Sequence, residues 1–344
     1  MGRQNLGVWL LAAGQTLTYA GVYYSFAALL PNLIAATGWS VAQLAFGPTL
    51  SFLVMAAALP ITGRLLDHGH GARMMLAGPA MAALALVALG YADQLWQWNA
   101  AWAVIGLAMS GSVYETCFAQ LTRVLDQGGQ KGALSARAAI IRVTLVAGFA
   151  STLAFPLGHW WGGTLGGQGA LLAFAAVVAL AVPLNWAGLA RLGDGRKSAQ
   201  HPAPPKGALL LALGQPVFWK LAAILSALWA SHGILMTYVL VLFTDRGAGA
   251  GLAALAAACV GPAQVFGRLM LMVGGARISN TAATFISVGA LVLASIVLIA
   301  AGASPLLIFL FAALQGTGAG LFSILRPVLV ADLLGKGGFG AVSS

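Results

Sequence analysis

The chain has 344 residues, of which 60% are hydrophobic and 7% are charged. Soluble globular domains carry about 25% charged residues, so this composition excludes an ordinary soluble protein. The formal net charge of +10 at pH 7 would suit a nucleic-acid partner. However, the basic residues lie between apolar runs, and this placement argues against nucleic-acid binding.

Apolar runs of about 20 residues, the length that crosses roughly 30 Å of hydrocarbon, recur along the chain. In lipid a segment must satisfy its own backbone hydrogen bonds, so such runs are helices. The sequence therefore predicts an all-α polytopic membrane protein. The ten predicted spans are 7–35, 42–62, 74–92, 98–122, 137–158, 167–190, 214–243, 251–273, 280–302 and 305–334.

A polar, Pro-rich stretch follows the sixth predicted span, and we interpret 191–213 as a cytoplasmic linker. It separates an N-terminal half, 1–190, from a C-terminal half, 214–344. Thirteen of the 17 Lys and Arg residues fall in segments on the side of the N-terminus, and only Arg246 lies in an opposite loop. By the positive-inside rule, this distribution places the N-terminus in the cytoplasm.

A short polar segment, Gly63–Arg73, interrupts the apolar runs, and parts of it recur later in the chain. Its opening triplet returns at Gly267-Arg268-Leu269 and its closing triplet at Gly275-Ala276-Arg277, with the same spacing. Such recurrence indicates an internal duplication. Both halves begin on the same side, so the repeat is parallel, as in some secondary transporters. The second half has four predicted spans against six in the first, so we expect it to be truncated.

The segment Gly63–Arg73 resembles the first-half hallmark of the major facilitator superfamily. Gly63, Leu65 and Asp67 match that hallmark, and its next glycine corresponds to Gly71, one position late. The resemblance implies two six-helix halves, a secondary transporter and no enzymatic activity. It also implies a cytoplasmic gate, in which the Asp67 carboxylate would face the eleventh helix of the family. The alternative interpretation is an ordinary charged turn. The predicted gate residues are Gly63, Arg64, Asp67, Gly71, Arg73, Gly267, Arg268 and Arg277.

Within the superfamily, Thr37-Gly38-Trp39-Ser40 and the preceding Tyr23–Pro31 resemble the monocarboxylate and oxalate–formate type carriers. Tyr114-Glu115 and Val146–Thr152 are similar to a bacterial branch. These resemblances imply a bacterial-type plasma (inner) membrane location.

The ionisable side chains within predicted spans include Glu115, Arg142 and Arg326. Each costs about 2.5–3.5 kcal/mol on insertion scales, so each requires a partner or a water-filled cavity. In the family the fourth and tenth spans line the central cavity, which would place Glu115 opposite Arg326. Glu115 would then be a proton-coupling or gating carboxylate, and Arg326 its counter-ion or a ligand of an anionic substrate. The alternative is a static pair between Glu115 and Arg142 on adjacent helices.

Three further residues are candidates for the substrate or proton pathway. His232 lies mid-span and could relay protons or serve as a hydrogen-bonded packing residue. Gln15 and Tyr23 could present hydrogen-bond donors to a substrate, whereas Tyr24 could belong to the interfacial aromatic belt. We find no metal-ligand set, no nucleotide motif and no catalytic constellation, so we expect no cofactor.

The resulting hypothesis is a secondary transporter that is coupled to protons and works by alternating access. Its substrate would be an organic anion if Arg326 lines the site, or an amphipathic solute given the aromatic and apolar lining. The alternative is a nontransporting membrane sensor of the same fold, or an inactive truncated transporter.

Overall fold

The computed structural model describes residues 2–125, 134–192, 213–274, 278–304 and 306–334. Within these ranges all regular structure is helical, which confirms the predicted fold class. Contacts divide the chain into two compact units, Met1–Ala199 and Gln200–Ser344. They are called unit 1 and unit 2 and are described separately.

Unit 1 begins with α1, a five-residue π-helical segment and α2, which run on without a break. The helices of unit 1 are α1 (Arg3–Tyr19), the π segment (Ala20–Tyr24), α2 (Ser25–Thr37), α3 (Val41–Asp67), α4 (Gly71–Gly90), α5 (Leu95–Ser110), α6 (Tyr114–Leu125), α7 (Ala136–Ala147) and α8 (Ala150–Leu192). Helix α8 is two helices that meet at Gly166, where a φ of 71° interrupts the helical geometry.

Local sequence signals explain where several of these helices begin and end. Ser40 and Ser135 are the N-caps of α3 and α7, and each side chain accepts a hydrogen bond from the N–H three residues later. Gly38, with a φ of 70°, ends α2 in the left-handed conformation that favours glycine. These boundaries agree with the predicted spans to within a few residues.

The fourth predicted span, 98–122, is wrong as a continuous helix. The structure divides it into α5 and α6, with turn and bend geometry at 111–113. The apolar run ends at Met109, and Ser110-Gly111-Ser112 stands at the break, so the span prediction passed over a local turn signal.

The core of unit 1 forms where α8 packs against α1, α2 and α4. Side-chain amides reinforce this packing, as Asn185 Nδ2 on α8 donates to the Met75 carbonyl oxygen at 2.9 Å. Helices α3 and α5 also pack closely. A Cβ atom on Gly106 would lie 2.2 Å from the Ser51 carbonyl oxygen, so only glycine permits this approach.

Unit 2 is built around its last helix, which packs against α12 and α13 and also contacts α9. The helices of unit 2 are α9 (Pro216–Thr237), α10 (Val239–Asp245), α11 (Ala250–Ala258), α12 (Val260–Gly274), α13 (Asn280–Ala300), a 3-10 turn (Ala301–Ala303) and α14 (Leu307–Leu334). Ser287 Oγ of α13 donates to the Gly318 carbonyl oxygen of α14 at 2.8 Å, which ties these two helices together.

Eight helical stretches of the described residues are long and apolar enough to cross a membrane. One of them, Ala136–Leu192, contains two of the predicted spans. The broken helix α5–α6 accounts for the remaining predicted span, although neither part is long enough by itself.

Candidate functional site

The first irregular element of unit 1 is the π segment Ala20–Tyr24. A π segment widens the helix by one residue, and such segments occur frequently at functional sites. Here it directly follows Tyr19 and contains the adjacent pair Tyr23 and Tyr24. Tyr24 is only 7% exposed, and its ring lies 6.1 Å from the Phe155 ring. Assigning Tyr24 to an interfacial belt is therefore wrong.

The second irregular element is the break between α5 and α6. The first backbone bond of α6 runs from Cys117 N–H to the Val113 carbonyl, so the helical ladder does not use the Ser112 carbonyl. Gln15 on α1 supplies the missing donor, since its Nε2 lies 2.9 Å from the Ser112 carbonyl oxygen. Gln15 is fully buried, and its Oε1 has no hydrogen-bond partner. Its amide nitrogen is thus engaged within unit 1.

Aromatic rings connect these two irregular elements. The Tyr19 and Tyr114 ring centroids are 4.5 Å apart, and Tyr114 stacks on Phe118 at 5.1 Å. On the other side, Tyr23 lies 6.2 Å from Tyr19 and 5.9 Å from Phe52 of α3. We call these five rings, together with Glu115, the tyrosine face. In lipid, irregular backbone is tolerated where it is buried in protein or lines a cavity, so this face is the leading candidate site in unit 1.

Glu115 occupies the first turn of α6 and is exposed. It directly follows Tyr114, whose ring centroid lies 4.5 Å from that of Tyr19. The predicted static pair with Arg142 does not form. Arg142 instead donates to Asn5 Oδ1 and lies 6.0 Å above the Trp9 ring. Among the described residues of unit 1, no ion pair engages Glu115.

Unit 2 contains a separate buried polar cluster around His232 on α9. His232 is 4% exposed, and its Nδ1 lies 3.1 Å from Gln315 Nε2 on α14. The Trp229 ring packs edge-on against the imidazole at 5.9 Å. Two atoms of this cluster, Gln315 Oε1 and Trp229 Nε1, are buried without a hydrogen-bond partner. His232 is therefore hydrogen-bonded, and two polar atoms beside it are left available.

Two arginines of unit 2 are buried to different extents. Arg326 lies on α14 and is partly buried. Arg268, a predicted gate residue, lies inside α12 and is 5% exposed, with its Nε 3.3 Å from Ser323 Oγ. The duplicated position Arg64 in unit 1 is exposed. The two copies therefore differ in environment, although their sequences match.

The polar segment Gly63–Arg73 joins α3 to α4. Gly69 has the positive φ of 85° that the turn requires, and the predicted gate residue Gly71 is buried against the Gln120 side chain. Arg123 Nη1 donates to the Leu66 and Asp67 carbonyl oxygens at 3.0 and 3.3 Å. This arginine caps the C-terminal end of α3 and was missed from the sequence.

Of the other predicted gate residues, Asp67 lies on α3, Arg73 on α4 and Gly267 on α12. Asp67 and Arg73 are exposed, and no ion pair within unit 1, as far as it is described, joins Asp67 to Arg64 or Arg73. Gly267 lies against α14, because a Cβ there would meet the Thr317 carbonyl oxygen at 2.4 Å. Arg277 lies outside the described residues.

Comparison with known proteins identifies the family. The sequence model of the Major Facilitator Superfamily matches residues 11–344. The chain belongs to the Major Facilitator Superfamily. A search of curated proteins gives no match. Membership in this superfamily establishes a membrane transporter fold and indicates a protein without enzymatic activity.

Solved structures of superfamily transporters resemble the chain in fold. The nucleoside transporter NupG matches with a TM-score of 0.70 and 13% identity, covering 100% of this chain and 89% of that chain. A point mutant of NupG matches with a TM-score of 0.72 and 14% identity, covering 99% and 87%. A bacterial homologue of the human lysosomal transporter Spinster, inward-facing and unoccupied, matches with a TM-score of 0.62 and 15% identity, covering 99% and 81%.

Sequence reasoning singled out Glu115, Gln15, Tyr23 and His232 but did not identify the residues that each of them contacts. The membrane burial cost of an ionisable group identified Glu115. No sequence signal identified Gln315, because a glutamine in an apolar helix is as easily a packing residue. The roles of all these residues stay predictions.

Proposed function

We propose that the protein is a proton-coupled secondary transporter of a small amphipathic or anionic organic solute. Its two halves, 1–190 and 214–344, would alternate access to a site near the membrane midplane around the linker 191–213. The observation that carries this proposal is the tyrosine face, where two irregular backbone segments present aromatic rings beside a carboxylate. Regular helices would suffice for a scaffold, whereas broken helices at membrane depth are a feature of transporter sites.

Proton coupling is assigned to Glu115. A carboxylate in a span without an ion-pair partner can bind a proton, and an exposed one can exchange that proton with water. Arg326 is proposed as its counter-ion or as a ligand of an anionic substrate. His232 is proposed as a second group on the proton pathway, since its imidazole is already part of a hydrogen-bonded pair with Gln315.

The class of solute is inferred from the side chains of the tyrosine face. Five aromatic rings with one carboxylate favour a solute with a flat or apolar part, and this supports the amphipathic class. An organic anion requires that Arg326 reaches the solute. NupG is a nucleoside transporter, and at 13% identity this neighbour supports only the inclusion of nucleosides in a substrate panel.

The protein is proposed to lie in a bacterial-type inner membrane with its N-terminus in the cytoplasm. The distribution of basic residues supports this orientation. Single cysteines introduced beside Arg73 and beside Arg246 test it with a membrane-impermeant thiol reagent on intact cells. Labelling beside Arg246 alone is the expected result, and labelling beside Arg73 alone would reverse the orientation.

Uptake into proteoliposomes tests the transport function. The panel contains organic anions, amphipathic amines and nucleosides, with and without an imposed pH gradient. We expect wild-type protein to accumulate at least one solute, and Glu115→Gln to abolish the component driven by the pH gradient. If Arg326 binds an anion, Arg326→Ala removes anion uptake and leaves amine uptake unchanged.

The control is the exposed aromatic Tyr91, which is 73% exposed on unit 1. Tyr91→Leu should transport like the wild type. If no member of the panel moves in any variant, the nontransporting sensor replaces the transporter as the better hypothesis.

A further inference from the structure

The charge of the solute can be inferred from the tyrosine face, and this inference rests on the proposed transport function. We propose that the tyrosine face binds the cationic group of an amphipathic organic solute, such as an aromatic or quaternary ammonium compound. Glu115 would neutralise the positive charge, and the faces of the tyrosine rings would surround it. Three observations carry this assignment.

The first observation is the carboxylate itself. Glu115 is exposed and directly follows Tyr114, whose ring lies 4.5 Å from the Tyr19 ring, and the basic partner predicted on the adjacent helix, Arg142, is engaged with Asn5 and Trp9 instead. Within the described part of unit 1, no basic side chain forms an ion pair with the carboxyl group of the tyrosine face. An ionised carboxylate within a membrane span requires compensation, and a cationic ligand would supply it.

The second observation is the arrangement of the rings. An aromatic face carries the negative lobe of the ring quadrupole and attracts cations within about 6 Å. The rings of the tyrosine face are not stacked in parallel throughout. Tyr19 and Tyr114 are tilted by 37°, and Tyr23 and Phe52 meet edge-on at 72°. Their planes therefore differ in orientation, so a cation beside them could contact more than one ring face.

The third observation is partial exposure. Tyr19, Tyr23, Tyr114 and Phe118 are half-buried, and Phe52 is 45% exposed. Rings that served only as core would be fully buried, as Phe155 and Phe174 are. The tyrosine face thus combines apolar surface, ring faces and one carboxylate, which is the chemistry that recognises an organic cation and disfavours an organic anion.

Two probes of almost identical shape and opposite charge test the assignment. Tetraphenylphosphonium is the cation and tetraphenylborate is the anion. Binding of each radiolabelled probe to the purified full-length chain in detergent is measured by equilibrium dialysis, with detergent alone subtracted. We expect saturable binding of the cation and none of the anion. Saturable binding of the anion at equal or higher affinity would overturn the proposal.

Variants then locate the bound cation. Glu115→Gln should weaken cation binding about 10- to 100-fold, the range for loss of one charged hydrogen-bonding group, and Glu115→Asp should retain part of it. Tyr19→Leu should weaken binding about 2- to 30-fold, and Tyr19→Phe, which keeps the ring, should bind like the wild type. The control Tyr91→Leu should be unchanged. Equal cation affinity in the wild type and in Glu115→Gln would refute the proposal.

This experiment is independent of transport. Cation binding that requires Glu115 supports the assignment even if no solute is accumulated in proteoliposomes, in which case the transport proposal fails alone. Conversely, uptake of an anion or a neutral solute without binding of tetraphenylphosphonium would support the transport proposal. It would overturn the inference that the solute is a cation.

Discussion

The bond between Gln15 and the Ser112 carbonyl ties α1 to the break between α5 and α6, so Gln15→Leu is the most informative single substitution. Leucine has nearly the same volume and belongs in an apolar helix. The variant therefore removes the donor while keeping the packing. It leaves the Ser112 carbonyl buried in a helix break, where the backbone ladder does not use it.

The expected loss in the free energy of unfolding depends on the Ser112 carbonyl, which loses its hydrogen-bond donor. A buried acceptor left without a partner costs about 1–3 kcal/mol. Side-chain hydrogen bonds in membrane proteins average about 0.6 kcal/mol, with a maximum near 1.7. Because the Ser112 carbonyl has no helical donor, we expect a value near the top of the membrane range, about 1.5 kcal/mol. The substitution also removes Gln15 Oε1, a buried oxygen without a hydrogen-bond partner. Its removal offsets part of the lost stability.

Thr18→Val is the matched control. Thr18 lies on the same helix and is equally buried, and its Oγ1 donates to the Gly14 carbonyl one turn earlier at 2.8 Å. That carbonyl keeps its helical partner when the hydroxyl is lost, so the cost should be below about 0.5 kcal/mol. Equilibrium unfolding in mixed micelles with increasing SDS measures both values. Equal stability of the two variants would show that Gln15 does not support the break.

Gln15→Leu should also affect the site. The Ser112 carbonyl precedes Tyr114 and Glu115 by two and three residues, so release of this anchor should displace the tyrosine face. Cation binding should therefore weaken in Gln15→Leu and remain unchanged in Thr18→Val. Normal binding in a destabilised Gln15→Leu would confine its role to stability.

Three further substitutions test the packing and the polar segment. Gly106→Ala should lower the free energy of unfolding by about 1–3 kcal/mol, because its Cβ would lie 2.2 Å from the Ser51 carbonyl oxygen. The control Gly163→Ala has no atom within 4 Å of its Cβ and should be neutral or stabilising by up to about 1 kcal/mol, and the reverse order would disprove the contact. Gly69→Ala should cost about 1–2 kcal/mol through its φ of 85°, measured in the same SDS titration. Arg123→Met should speed amide hydrogen exchange at the C-terminal end of α3, and unchanged exchange would show that the cap is not needed.

The sequence by itself determined the fold class and the approximate positions of the helices. It did so because lipid imposes one rule on every span: the segment must be apolar and must satisfy its own backbone. The same rule identified Glu115, since an ionisable group in such a segment is costly and therefore conspicuous. Ser40 and Gly38 are local signals of the same kind, because one caps the start of α3 with its side chain and the other ends α2 in the left-handed conformation.

Only the tertiary structure decided which side chains meet. The partner of Gln15 and the tyrosine face depend on contacts between residues far apart in the chain. Arg142 illustrates the difference, because its depth in the membrane suggested Glu115 as partner, whereas packing of α7 on α1 brings it to Asn5 and Trp9. Likewise Arg64 and Arg268 share a motif but not an environment, since burial is a property of the packed unit and not of the residue.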